Sequence, residues 1–197
     1  MASEDAPSPI QWRMREDIVR PQSIRAEDLL QRLGLALDPT ELGRQDPEVF
    51  IEVDTRRRIR RHLRRDLTRE LGGLLYGEVY EDSARGFSLV VVWAAARAEQ
   101  AEGGPAHVRY NEQSWASIDR QRRRLDPSWT IVGNYHSHPG IGVFLSATDL
   151  ANQAGFFTQS WQLALIIDPV QEQEGLWAGP RGLRLDGYRT FTRRRRR

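Results

Sequence analysis

From residue 49 onward, apolar positions alternate between strand-like and helix-like spacing. Short runs rich in β-branched and aromatic residues at 49–53, 74–79, 87–95, 163–167, 175–178 and 183–188 predict strands. Between them, residues 55–71 set Ile59, Leu63 and Leu67 on one stripe of an Arg-rich helix, and residues 111–125 predict a helix capped by Asn111. The run Trp129 to Tyr135 reads as a strand ending at Pro139, since proline cannot donate to a sheet ladder. Ser146, with an acid three residues later at Asp149, has N-cap spacing and predicts a helix continuing through Leu150 to Phe157. Strands and helices in this order predict an α/β fold, a mixed central sheet flanked by helices.

Residues 1–48 differ in character. They are Pro-rich, carry six Arg against ten Asp and Glu, and offer one short helix, Ser23 to Leu33. This segment is expected to be an N-terminal arm, either partly disordered or a docking element for a partner. A domain over 49–191 and a basic tail over 192–197 complete the expected organisation. With 197 residues and 39% hydrophobic residues, the chain holds one core of ordinary size. No apolar run reaches 18 residues, no secretory leader is visible and cysteine is absent, so a cytoplasmic location without membrane contact is the default expectation.

The densest chemistry lies at His136-Ser137-His138-Pro139 and Ser146-Ala147-Thr148-Asp149. Residues two apart on a strand share a face, so His136 and His138 point the same way and can reach one ion at about 2.0–2.1 Å. Asn134 shares that face and either hydrogen-bonds a metal ligand from behind or is an ordinary polar strand residue. Asp149, in a first helical turn, supplies a third ligand. Three protein ligands with a fourth position left for water is the catalytic zinc arrangement, whereas structural zinc sites are closed and usually rich in cysteine. One Zn2+ per chain is therefore expected. A hydrolytic site also needs a base. Glu70, in Glu70-Leu71-Gly72-Gly73-Leu74-Leu75-Tyr76-Gly77, is a candidate, although on its own it reads first as a solvated residue near a helix end.

Together these two blocks resemble the JAMM, or MPN-plus, metalloprotease family, including its prokaryotic JAB-type members. That pattern is E-x-x-G-x-L-x-G followed by H-x-H-P, six residues and S-x-x-D. Glu70, Gly73, Leu75 and Gly77 match the first part; His136, His138, Pro139, Ser146 and Asp149 match the second, with Gly140 to Leu145 as spacer. The resemblance covers roughly residues 49–191. It implies an MPN (JAB) domain related in shape to cytidine deaminases, and an isopeptidase that releases ubiquitin or ubiquitin-like proteins. It further implies metal binding by His136, His138 and Asp149, Glu70 as general base and acid, and Ser146 as donor to the oxyanion. The partners so implied are a ubiquitin-like or sulfur-carrier-like modifier ending in glycine, its conjugates, and E1- or E2-like conjugation enzymes. A scaffold subunit without activity of its own is the competing expectation, although scaffold relatives tend to lose metal ligands.

The chain departs from the commonest eukaryotic form of this family at Asn134, where a Trp often stands, and at Val143-Phe144, which replace a Cys-Trp pair. The segment Ala98 to Tyr110 reads as a short turn, with His107 as an exposed histidine and not a fourth ligand. All 29 basic residues are Arg. High genomic GC content, which favours Arg codons, is the first expectation; the alternative is avoidance of lysine by an enzyme working beside a lysine-directed conjugation system. Net charge is only +2, and the five Arg at 193–197 more than supply it, so the helical Arg runs read as solvated faces and not as a nucleic-acid footprint.

Overall fold

The computed structural model describes residues 19–104 and 107–193. Residues 1–18 of the N-terminal arm and 194–197 of the Arg tail lie outside them, as does the side chain of His107. In chain order the elements are β1 (Gln22–Ser23), α1 (Ala26–Leu33), β2 (Glu48–Glu52), α2 (Val53–Leu63), β3 (Gly72–Asp82) and β4 (Phe87–Arg97). There follow β5 (Glu102–Gly104), β6 (His107–Arg109), α3 (Glu112–Arg122), β7 (Thr130–Ser137), α4 (Ala147–Phe156), β8 (Leu163–Asp168), β9 (Gln173–Ala178), β10 (Leu183–Leu185) and β11 (Arg189–Phe191). The main sheet has the order β10-β9-β8-β7-β3-β4-β2-β11, with β1 beside the far end of β3. Its pairs are antiparallel at β3–β4, β3–β7, β8–β9 and β9–β10, and parallel at β7–β8, β2–β4 and β2–β11. This is the mixed sheet flanked by helices that the sequence predicts.

Alternation along β3 and β4 divides the core between the two faces. Leu75, Val79, Val90 and Val92 meet Ile59 and Leu63 of α2 on one face. On the other, Tyr80, Leu89 and Val91 meet Leu29, Leu30 and Leu33 of α1, while Leu74 and Tyr76 meet Ile118 of α3. The described part of the segment before residue 49 is thus packed on the sheet through α1, whose apolar residues recur at helical spacing and whose left-handed stop is Gly34 at φ 70°.

Three of the predicted elements differ in ways that change the fold. The helix expected over 55–71 stops at Leu63, because Asp66 accepts hydrogen bonds from the Thr68 amide at 2.9 Å and its hydroxyl at 2.6 Å, a local turn that competes with helix. Leu67, expected on the buried stripe, is exposed. The turn expected over 98–110 contains the β5–β6 hairpin. The strand expected over 183–188 splits: β10 pairs with β9 at one edge, and β11 crosses to pair with β2 at the other.

A β-bulge sets the geometry of β7. Leu75 and Tyr76 are neighbours on β3, but their β7 partners are Gly133 and Ile131, so β7 carries one extra residue there. Gly133 has φ 152°, and a Cβ on it would lie 2.2 Å from the Leu163 carbonyl oxygen, so only glycine fits. The extra residue shifts the phase of the strand. Val132 and Tyr135 both join the core facing α2, and Asn134 and His136 are turned to the opposite face.

Tyr135 meets the buried His62 of α2, with the His62 Nδ1 3.0 Å from the phenol oxygen. Burial, reinforced by Arg97 and Arg65, lowers the His62 pKa from its usual 6.5 to about 4. On acidification the unfolded chain takes up this proton first. The native state is therefore expected to lose about 3 kcal/mol between pH 6.5 and 4 from this group alone. Denaturant titrations across that range check this, with His62→Gln giving a flatter profile.

Candidate metal centre

The last residues of β7 carry two histidines on one face because the strand alternates after its bulge. His136 and His138 are 8% and 1% exposed, with ring centroids 5.1 Å apart. The His138 amide donates to the Ile167 carbonyl of β8 at 3.0 Å, which carries the sheet's bonding one residue past the strand. Pro139 then turns the chain away. The loop that follows is fixed by Asp168, whose buried carboxylate accepts from the amides of Gly140 (3.0 Å), Gly142 (2.8 Å), Val170 (2.8 Å) and Gln171 (3.0 Å). Burial would raise the Asp168 carboxyl, but these four donors hold it below its ordinary value.

The loop delivers Ser146, which caps α4. Its hydroxyl accepts from the Asp149 amide at 3.2 Å, and Asp149 Oδ2 accepts from the Ser146 amide at 2.8 Å and the Ser146 hydroxyl at 2.7 Å, a reciprocal capping box. The box aims Asp149 at the histidines. Asp149 Oδ1 lies 3.3 Å from His136 Nε2, and Oδ2 lies 3.6 Å from His138 Nε2. One ligand atom from each of His136, His138 and Asp149 lies within 4.8 Å of the others.

These separations fit a metal. Donors held at about 2.0–2.1 Å around a tetrahedral ion sit roughly 3.3 Å apart. The buried His136 Nε2 is turned to the Asp149 carboxylate and not to solvent, and in a neutral imidazole that nitrogen can offer its lone pair to an ion. Two imidazoles and one carboxylate are a donor set suited to zinc and to neighbouring first-row ions.

Glu70 completes the cluster. It is 2% exposed, and its Oε1 lies 3.5 Å from His138 Nε2. What puts it there is Ser137, between the two histidines. The Ser137 hydroxyl accepts from the Leu71 amide at 2.9 Å, and the Ser137 amide donates to the Leu71 carbonyl at 2.9 Å. Leu71 is thereby stitched to β7, and Glu70 is held at the site from a loop and not from a helix end.

Charge in the cluster is mutually supporting. Burial lowers the His138 pKa, but the Asp149 hydrogen bond and the nearby Glu70 charge outweigh it and raise the imidazole above its ordinary value. Burial would raise the Asp149 carboxyl, yet hydrogen bonds from His136 and His138 hold it well below the usual carboxylate range.

The structure thus brings together five of the residues singled out from sequence: Glu70, His136, His138, Ser146 and Asp149. Asn134 shares the histidines' face, and its side-chain amide donates to Gln153 Oε1 at 3.2 Å and to the Leu163 carbonyl at 3.4 Å. The Phe144 ring packs against the His138 ring, tilted by 56° with centroids 4.8 Å apart, while remaining 43% exposed, so it forms one wall of the site. Sequence reasoning missed Ser137, Gln153 and Asp168. Each had a signal: a serine turned to the opposite face between two histidines, a glutamine four residues after Asp149 on a helix, and an Asp-Pro pair at a strand end.

Residues 52–178 match the family described as prokaryotic homologs of the JAB domain. Curated relatives include COP9 signalosome complex subunit 5 of Debaryomyces hansenii, 38% identical over 38% of this chain and 14% of that protein. The 26S proteasome regulatory subunit RPN11 of Encephalitozoon cuniculi is 43% identical over 23% of this chain and 16% of its own length. Ubiquitin carboxyl-terminal hydrolase RPN11 of Saccharomyces cerevisiae is 29% identical over 52% of this chain and 32% of its own. The chain thus spans no more than about a third of these three relatives. The solution structure of protein DSY2949 from Desulfitobacterium hafniense superposes with a TM-score of 0.53 at 19% identity, over 74% of this chain and 92% of that one, a likeness of fold.

Proposed function

The chain belongs to the family of prokaryotic homologs of the JAB domain, and from that premise we propose that it is a zinc-dependent isopeptidase. Its substrate would be the amide bond that follows the C-terminal glycine of a ubiquitin-like or sulfur-carrier-like protein, in a conjugate or a precursor. The observation that carries this reading is the meeting of a buried carboxylate, Glu70, with His136, His138 and Asp149 around one point. One relative bears a name that speaks for the substrate class, a ubiquitin carboxyl-terminal hydrolase.

His136, His138 and Asp149 would hold the ion. When bound, zinc supplies Lewis acidity, lowering the pKa of a water toward about 7 and polarising the scissile carbonyl. Glu70 acts at its Oε1: it accepts a proton from the attacking water and returns it to the leaving amine nitrogen. Ser146 Oγ has one proton, shared with Asp149 Oδ2 in this structure. Rotated toward the substrate, that hydroxyl donates to the oxygen on which charge develops. Phe144 shields His138 on the open side and limits the access of bulk water.

The test is a panel of ubiquitin-like proteins, each joined through a terminal glycine either to a lysine side chain or to a linear extension. Cleavage that disappears with chelator is the expected result, and preference within the panel assigns the modifier class. A chain loaded with one zinc that cleaves no member would overturn the reading in favour of a scaffold subunit.

A further inference from the structure

Helix α4 carries a metal-ligand candidate, yet it has almost nothing to hold it. Of its ten residues only Asp149 and Gln153 are not exposed, and these are four apart, on one face. None of its apolar residues is buried; Leu150 and Phe156 are 40% and 52% exposed. The apolar stripe that ordinarily fixes a helix against its sheet is missing. Its ends are tied by the capping box at Ser146 and by the buried Phe157. Among the described residues its one buried side chain is Gln153, 1% exposed, at the middle of the helix. Gln153 Oε1 accepts from Asn134 Nδ2 at 3.2 Å, and Gln153 Nε2 donates to the Gln162 carbonyl at 3.1 Å.

We infer that the side-chain amides of Asn134 and Gln153 form a latch that sets the position of Asp149 relative to His136 and His138, which makes both of them positioning residues for the metal. The inference rests on the metal-site reading above. The latch joins the two ligand-bearing elements directly. Asn134 is two residues before His136 on β7, and Gln153 is one helical turn beyond Asp149. Metal–ligand distances hold to within about 0.2 Å, so a helix free to roll or slide would give up its ligand. A directional bond between the half-buried Asn134 amide and the buried Gln153 amide resists both motions, and the side-chain oxygen and nitrogen of Gln153 are both engaged, so the pair carries little desolvation cost. Asn134 is also where this chain departs from the commonest form of its family, so the latch belongs to the departure and not to the shared motif.

The experiment is zinc affinity of the full chain by competition with a chromophoric chelator, together with the ligand-field spectrum of the cobalt-substituted protein. Two variants are used: Asn134→Ala, and Gln153→Met, which keeps side-chain length but cannot bond. Each is expected to bind zinc about 10–100-fold more weakly, the range seen when outer partners of metal ligands are removed, with an altered cobalt spectrum. The double variant is expected to lose less than the two single losses combined, because both break one contact. Leu30→Ala, which loosens α1 far from the site, is the control for instability and keeps wild-type affinity. Folded variants with wild-type affinity and spectrum overturn the latch. A wild-type chain that binds no zinc, and is unaffected by Asp149→Ala, overturns the metal reading itself and is told apart by that pair of measurements.

Discussion

Replacing Glu70 with glutamine is expected to lower turnover by about 10²–10⁴-fold while zinc stays bound at one per chain. The two side chains have nearly the same shape, so a position only 2% exposed accepts the change without a cavity. What is lost is the ability to take up a proton at Oε1. Three readouts separate this from a structural effect: zinc content by metal analysis, KM for the cleaved conjugate, and the pH profile of kcat. Zinc content and KM remain close to wild type, and the acidic limb of the profile, where the base must be ionised, disappears from the residual activity. A variant that keeps wild-type turnover would remove Glu70 from the chemistry. One that loses zinc would make its 3.5 Å approach to His138 a structural contact.

Most of the site was legible from spacing because each ligand sits where a simple local rule puts it. His136 and His138 share a face through strand alternation, and Asp149 follows from a cap at Ser146; both rules act within a few residues and need no knowledge of the fold. Glu70 was legible only through the resemblance of its surroundings to a known pattern. Its position depends on Ser137 and Leu71, 66 residues apart in sequence, exchanging hydrogen bonds. The misjudged elements fail for related reasons. The apolar stripe after residue 55 continues to Leu67 and predicts a longer helix than forms, while the Asp66 turn that ends it is a competition between bonds that periodicity does not register. The bulge at Gly133 was invisible because it answers the close approach of the Leu163 carbonyl on a strand not yet formed when β7 is read alone. That bulge decides which face Asn134 and the histidines occupy, so the site depends on a feature the alternation rule passes over.

Changing Asp149 to asparagine is expected to cost zinc affinity more than the latch variants do, beyond about 100-fold, since removing outer partners alone costs about 10–100-fold. Among the three ligand candidates Asp149 is the sole anion, and neutral amide oxygen is a far weaker donor to a divalent ion than carboxylate. Asp149 also has a second task. Its Oδ2 accepts from the Ser146 amide and hydroxyl, closing the capping box of α4. An asparagine keeps an oxygen for that purpose, whereas alanine removes it. Asp149→Asn is therefore expected to retain the cap's contribution to apo stability, and Asp149→Ala to lose a further 0.5–2 kcal/mol or so, the usual worth of a cap. Thermal unfolding with and without zinc separates the two contributions. Excess zinc raises the midpoint of the wild-type chain in proportion to the logarithm of its concentration over Kd. At the same concentration it moves the Asp149→Asn midpoint much less. An asparagine variant still stabilised by zinc as strongly as wild type would mean that His136 and His138 hold the ion without Asp149, and that the capping box is the whole of its role.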